Sequence, residues 1–422
     1  MKIYIFMLLF LFSCKEPNVF IQENYIISEV HYETIDKCRA IDISGDVLLA
    51  AASSNGYMRF NIINNNDDIS LELAYHNSDI DTQVGDDAAY NVLISDNFED
   101  LYFVLDDVDN IFLEDISSGE LGDLGTCGNS LLYRDMALND DIPDTTILFT
   151  LQKHFDVLPN DFDFYSTSVG IRDFYNTTDG EDFSLVETDC ITDIHMNLNI
   201  EAMKIFYSDN ILTVAEGGLG VNIYSYNRSI AESFTDANGN GSYDDAGCLG
   251  NPPEQDFIFN TEEACEQGGF VWISESEEFE DTIVEDGIYT AFKDSLEFKD
   301  NFYIQGGEAI SLFSKQNFVI SGFDNDRGCY MALLDSDGAI MSNLTFADGY
   351  SINAIDADNG FLALASGNDG VLVYQWNGSL DVDLLTRIDS GDDNYIYDVK
   401  VDGNHVYTAS ENGISIYKIE GN

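Results

Sequence analysis

Apolar and polar positions alternate along most of this chain with a period of two, in short runs broken by Gly beside Asn or Asp. The last stretch, Tyr395 to Ile419, shows the pattern in full: YIYDVKV, a DGN turn, HVYTAS, an ENG turn, then ISIYKI. β-Branched and aromatic residues fill the runs, and the turn residues are those that tight antiparallel connections select. The stretch therefore predicts three strands of one small sheet. The same sentence recurs as AIDADNGFLALASGNDGVLVYQW, as IFYSDNILTVAEGGLGVNIYSY and, near the start, as AIDISGDVLLAAASSNGYMRFNI.

The small residues closing the second strand in three units, Ser321, Ala365 and Ala409, are equally spaced at about 44 residues, the length of a propeller blade. Ala215 closes an earlier unit one period plus about 60 residues upstream, so an insertion, residues 231–285, is expected there. Ala51 closes the first unit; LYFVLDDVDNIFLEDI (Leu101–Ile116) supplies a second, and strands between Thr146 and Tyr175 a degenerate third. The expectation is an all-β chain: a single β-propeller of seven four-stranded blades. ISLELAYHN (Ile69–Asn77) and SLDVDLLTRID (Ser379–Asp389) read as outer strands. The chain stops after the third strand of its last unit, whereas an orphan strand (Asn24–Ile35) precedes the first, so the N-terminal strand is expected to complete the last blade and close the ring. Gly56, Gly220, Gly370 and Gly413 stand at turns entering third strands, where a positive φ is needed. Gly217-Gly218-Leu219-Gly220 opens no helix and carries no Lys, which argues against a phosphate loop.

Composition narrows the partners. The 45% hydrophobic and 13% aromatic content can bury a large core and argues against disorder. With 78 acidic against 17 basic residues the net charge is -61, so nucleic acid and an anionic membrane surface are poor partners. Cation binding, a basic partner, or solubility in a salty or extracellular setting all fit the acidity.

Met1 to Cys14 reads MKIYIFMLLFLFSC, with Lys2 before an apolar run, Ile3 to Phe12, that is shorter than the ~20 residues a spanning helix needs. Leu11-Phe12-Ser13-Cys14 resembles the lipobox of bacterial lipoproteins, although Phe12 departs from the usual small or aliphatic residue. The resemblance implies a signal peptide over 1–13, a lipidated Cys14, a tether over 14–23 and the propeller over 24–422. Lys15-Glu16 is similar to the signal that sends lipoproteins of Bacteroidota to the outer face of the outer membrane. The implied address is the cell envelope, with membrane contact only through the lipid, and a monomer is expected. The runs AEGGLGVNIYSY, ASGNDGVLVYQW and ASENGISIYKI resemble the LVIVD-type repeat propellers of bacterial surface lipoproteins, which implies a fold and an address but no activity. No Trp-Asp dipeptide closes a unit, and no sialidase-type S-x-D-x-G-x-x-W box occurs.

Within the insertion, Asp236, Asn238, Asn240, Ser242 and Asp244, with Gly241 at the sharp turn, match the first nine positions of an EF-hand-type calcium loop. Position twelve is Gly247 in place of the bidentate Glu, so Asp244, Asp245 or water must compensate. The stretch resembles the calcium loops of dockerins and thrombospondin-type repeats, which implies a structural calcium ion; an Asp/Asn/Gly-rich turn has the same composition. Cys248 and Cys265 follow, and an oxidising envelope favours a disulfide between them. With Cys38, Cys127, Cys190 and Cys329 they make six, which allow 15 pairings that spacing leaves open. No CxxC occurs and no His lies near, so zinc has little support.

Catalytic signals are sparse. His31, His76, His154, His195 and His405 adjoin no nucleophile motif, and no G-x-S-x-G is present. Asp42, Asp356 and Asp398 lie on first-strand segments and are expected at the central channel or its mouth, at unlike repeat positions. Two functions follow: a non-catalytic envelope lipoprotein binding a protein or glycan partner, or an envelope enzyme, a metal-dependent hydrolase or lyase, using the channel mouth. Convergent carboxylates and His around an open cavity would favour the enzyme, and a channel plugged by apolar side chains would favour binding.

Overall fold

Strand follows strand throughout the computed structural model, which describes residues 25–34, 36–65, 68–78, 88–98, 101–106, 111–115, 120–123, 132–143, 145–157, 163–176, 185–187, 202–235, 247–249, 271–273, 281–285, 288–391 and 394–419; no helix occurs among them. Seven antiparallel sheets form the ring, five of them built from strands consecutive in the chain. The innermost strands of blades 1 to 7 are Ala40–Ser44, Ala89–Ile94, Leu132–Asn139, Lys204–Ser208, Ala309–Lys315, Ala354–Asp358 and Ile396–Asp402. Each lies against the next, and the seventh packs on the first. The expected seven-bladed propeller is the fold observed.

Burial explains the residue pattern. Second strands face neighbours on both sides, so Phe361–Ala365 and His405–Ser410 are buried throughout; the first is wholly apolar and the second mixes apolar with small polar residues and one His. Innermost strands such as Ala354–Asp358 alternate, with polar residues turned to the channel. Outermost strands such as Ile340–Phe346 are largely exposed. The core divides into seven clusters, one for each interface between adjacent blades.

The N-terminal strand, Ile26–Tyr32, pairs antiparallel with Gly413–Ile419 as the outermost strand of blade 7. Tyr32 also sets its ring edge-on against Phe60 of blade 1, centroids 4.8 Å apart. Gly413, at φ 117°, shows how regular the closure is: a Cβ there would lie 2.3 Å from the Tyr32 carbonyl oxygen. In blade 4 a Cβ on Gly220 would meet the Phe302 carbonyl oxygen at 2.0 Å, so Tyr32 occupies the place that ends an ordinary fourth strand. Gly56 and Gly370 likewise have positive φ, as the turns required.

Innermost strands begin on one face of the ring, here the upper face, and end on the lower face. The insertion joins the third and fourth strands of blade 4, Val221–Thr235 and Ile288–Phe302, and therefore leaves from the lower face. The strand rhythm runs on to Thr235, further than the sequence suggested, because the two strands pair along their whole length. Two short pieces, Gly247–Leu249 and Val271–Ile273, pair with each other, and Asp281–Glu285 adds a fifth strand to the blade. The expected calcium loop, Cys14, Cys127, Cys190 and Cys265 lie outside the described residues, as does the side chain of Cys248. One expectation is corrected: Cys38 and Cys329 are free thiols, buried in different inter-blade cores, so neither joins a disulfide. Burial pushes both thiols up.

Candidate functional site

The innermost strands present side chains to the channel on two levels, fixed by their pairing with the second strands. On the upper level Asn91, Asp135, Lys204, Ser311 and Asp398 face Leu105, Leu151, Ala215, Gly322 and Ala409. In four of these strands a register shift immediately precedes the residue, between Ala89 and Asn91, Tyr133 and Asp135, Ala309 and Ser311, and Ile396 and Asp398. Such a bulge adds a residue and re-aims the next side chain. Two residues further on, the lower level carries Asp42, Asp356 and Lys400, opposite Leu49, Ala363 and Tyr407. Asp42 and Asp356 thus share one repeat position, contrary to expectation. Lys400 fills it in blade 7, and Asp398 stands a level above.

Each carboxylate reaches across to the next blade. The amide of Ile41 donates to Asp398 Oδ2 at 3.0 Å, that of Ile94 to Asp42 Oδ2 at 2.9 Å, that of Ile205 to Asp135 Oδ2 at 2.9 Å and that of Val401 to Asp356 Oδ2 at 2.6 Å. Two lysines balance them: Lys400 Nζ lies 2.8 Å from Asp42 Oδ1, and Lys204 Nζ 3.1 Å from Asp135 Oδ1. Burial raises Asp356 to about 6, with Lys400 and the Val401 amide opposing and Asp398 and Asp42 adding to the rise. Burial pulls the Lys400 ammonium down, but Asp42, Asp356 and Asp398 overcome it and hold it above its ordinary value.

Above these groups the channel opens into a cavity of about 570 Å³. A second, of about 460 Å³, lies below; Leu93, Met136 and Phe206 line both and mark the level where they meet. The lower cavity is acidic, with Asp96, Asp140, Asp141 and Asp209 against Lys315. The upper rim is aromatic. Tyr395 and Tyr397 pack at 4.8 Å between centroids, and Asn353 Nδ2 donates to the Tyr395 hydroxyl at 2.8 Å. The Arg39 guanidinium lies 4.4 Å from the Tyr397 centroid. The Tyr397 hydroxyl donates to Glu411, which also pairs with Lys37 at 3.1 Å. That hydrogen bond, with burial as the larger cause, pushes the Tyr397 phenol up to about 12, and it holds Glu411 below the usual carboxylate range.

Comparison with solved structures finds the same architecture. The crystal structure of the RRP9 WD40 repeats matches with a TM-score of 0.53 at 12% identity, over 94% of this chain and 98% of that one. The computationally designed Ika8 protein matches with a TM-score of 0.46 at 12% identity, over 92% and 98%. The likeness is one of fold. No protein-family model matches the chain, and no curated protein matches it.

The channel meets neither limit set by the sequence. It is open and its carboxylates converge, yet no described histidine side chain lines the cavity. His31 hydrogen-bonds Ser415, His76 the Asn55 carbonyl, and His405 is buried in the second strand of blade 7. The side chain of His154, and His195, lie outside the described residues. Sequence reading found Asp42, Asp356 and Asp398 but missed Asp135, both lysines, Arg39 and the tyrosines. One signal was available: basic residues are scarce, and four of the 17, Lys37, Arg39, Lys204 and Lys400, meet here.

Proposed function

We propose that this chain is a non-catalytic cell-envelope lipoprotein whose propeller is a scaffold for a protein or glycan partner. The carrying observation is that the convergent channel carboxylates each accept a backbone amide of the following blade, an employment that holds the ring together. A second observation supports a binding role. The large apolar side chains exposed among the described residues lie either on outermost strands or on the upper face, where Tyr90 lines the mouth and Met203, Leu219 and Tyr303 belong to blade 4. Ile26 begins its strand at the lower face, so a lipid on Cys14 would leave the upper face turned away from the membrane.

The address is tested by lipid labelling and fractionation of the full chain in a bacterial host. The wild type takes label and sediments with the outer membrane, and Cys14→Ala does neither; an unlabelled, soluble wild-type chain would end the proposal. Calcium belongs to the same reading, as a structural ion held by Asp236, Asn238, Asn240, Ser242 and Asp244. Thermal unfolding of residues 18–422 should shift upward with calcium relative to chelator, and the shift should vanish in Asp236→Ala. The enzyme remains a second reading because Asp356 sits in the channel with a raised pKa, as acid–base residues do. It would require a hydrolytic or lyase activity that Asp356→Asn removes.

A further inference from the structure

We propose that the upper cavity is a binding site for a neutral oligosaccharide, an inference that rests on the scaffold reading and names its ligand. The argument starts from charge. In a chain of net charge -61, the mouth gathers four cations and matches each locally: Lys37 with Glu411, Lys204 with Asp135, Lys400 with Asp42, and Arg39 with the face of Tyr397. An anionic ligand meets the repulsive field of the whole molecule and finds every nearby cation engaged. A cationic ligand finds carboxylates already matched by lysine and by backbone amides. What the site offers instead is a dense set of fixed donors and acceptors beside aromatic rings.

That combination suits a polyol. The cavity, about 570 Å³, lies within the roughly 300–1,000 Å³ range of small-molecule sites. Its rim is pre-formed. Tyr395 is held through its hydroxyl by Asn353 and packs on Gly367, where a Cβ would come within 2.6 Å of the ring; Tyr397 is held by Arg39 and Glu411. Groups locked before binding lose little entropy when a ligand arrives. Tyr90, 51% exposed at the mouth, supplies a ring on which the apolar face of a sugar stacks, while sugar hydroxyls reach the half-buried Asn91 and Asn353. The rings in the lower cavity's lining, Phe206, Tyr207 and Phe313, are all packed in ring pairs, and its acids outnumber its one lysine.

The test is calorimetric titration of the full chain with maltotriose, cellotriose, mannotriose and chitotriose, with trigalacturonic acid as the anionic probe. At least one neutral trisaccharide should bind saturably. Tyr90→Ala should weaken it tenfold or more without moving Tm, because Tyr90 is exposed; Asn353→Ala should weaken it less. No binding by any neutral probe, binding by trigalacturonic acid alone, or undiminished binding by Tyr90→Ala each overturns the proposal. Photo-cross-linking from position 303 on whole cells separates the two levels of inference. A protein captured there, with every neutral sugar failing, leaves the scaffold reading standing and removes the sugar site.

Discussion

At the scale of single residues, the acidic side chains of the channel do structural work. Asp398 accepts the amide of Ile41, itself 1% exposed, so removing the carboxylate strands a buried donor. Asp398→Ala is expected to cost about 1–3 kcal/mol in chemical denaturation, and Asp398→Asn less because an acceptor remains. Asp356 gives a pH signature. Its folded pKa, about 6, lies above the ordinary carboxylate value of 3.8, so the folded state binds the proton more tightly. The contribution is fully present below about pH 4 and is lost as pH rises through about 6. Lys400, Asp398 and Asp42 all face it, and only its own proton is removed by Asp356→Asn. The wild type should therefore lose Tm relative to that variant between pH 4 and pH 7; parallel curves would refute the assignment. These roles were hidden in the sequence because each joins residues of different blades, 52 positions apart for Asp42 and Ile94 and 357 for Asp398 and Ile41.

At the scale of elements, the blades were legible, and so was the place of the insertion within blade 4. Second strands repeat because burial on both sides favours apolar and small residues, and third-strand glycines repeat because the fourth-strand carbonyl leaves no room for a Cβ. The closing strand Ile26–Tyr32 was legible by elimination, as the partner missing from blade 7. Deleting residues 26–32 should bare the edge of Gly413–Ile419 and loosen the interface between blades 7 and 1. Cys38, at 0% exposure with its amide donating to the Ser410 carbonyl at 3.0 Å, lies in that interface. Its thiol is therefore a reporter: it should react slowly with a thiol reagent in the full chain and much faster in the deletion, while Cys329, in the core between blades 5 and 6, stays protected. Equal protection of both thiols would show that the strand is dispensable.

At the scale of the molecule, the surplus of 78 acidic over 17 basic residues acts on stability through self-repulsion. Raising sodium chloride from about 0.05 to about 0.5 M shortens the screening length severalfold and should raise Tm. A fall or no change would mean that the charges are spaced widely enough not to matter. The mouth departs from this background, since the local matching of its four cations leaves a nearly neutral patch on an acidic body.

The clasp between first and last strands also has a cost in time. His31 and its partner Ser415 stand 384 positions apart, so the first strand made is the last to be paired. At about 5–20 residues per second, synthesis leaves it waiting for roughly 20–80 s. Throughout that interval its amides and carbonyls, and the apolar side chains that will meet blade 1, have no place to go. A ring sealed this way asks for a holding factor during synthesis, and its refolding should be slow and concentration-sensitive in a way that its final stability would never suggest.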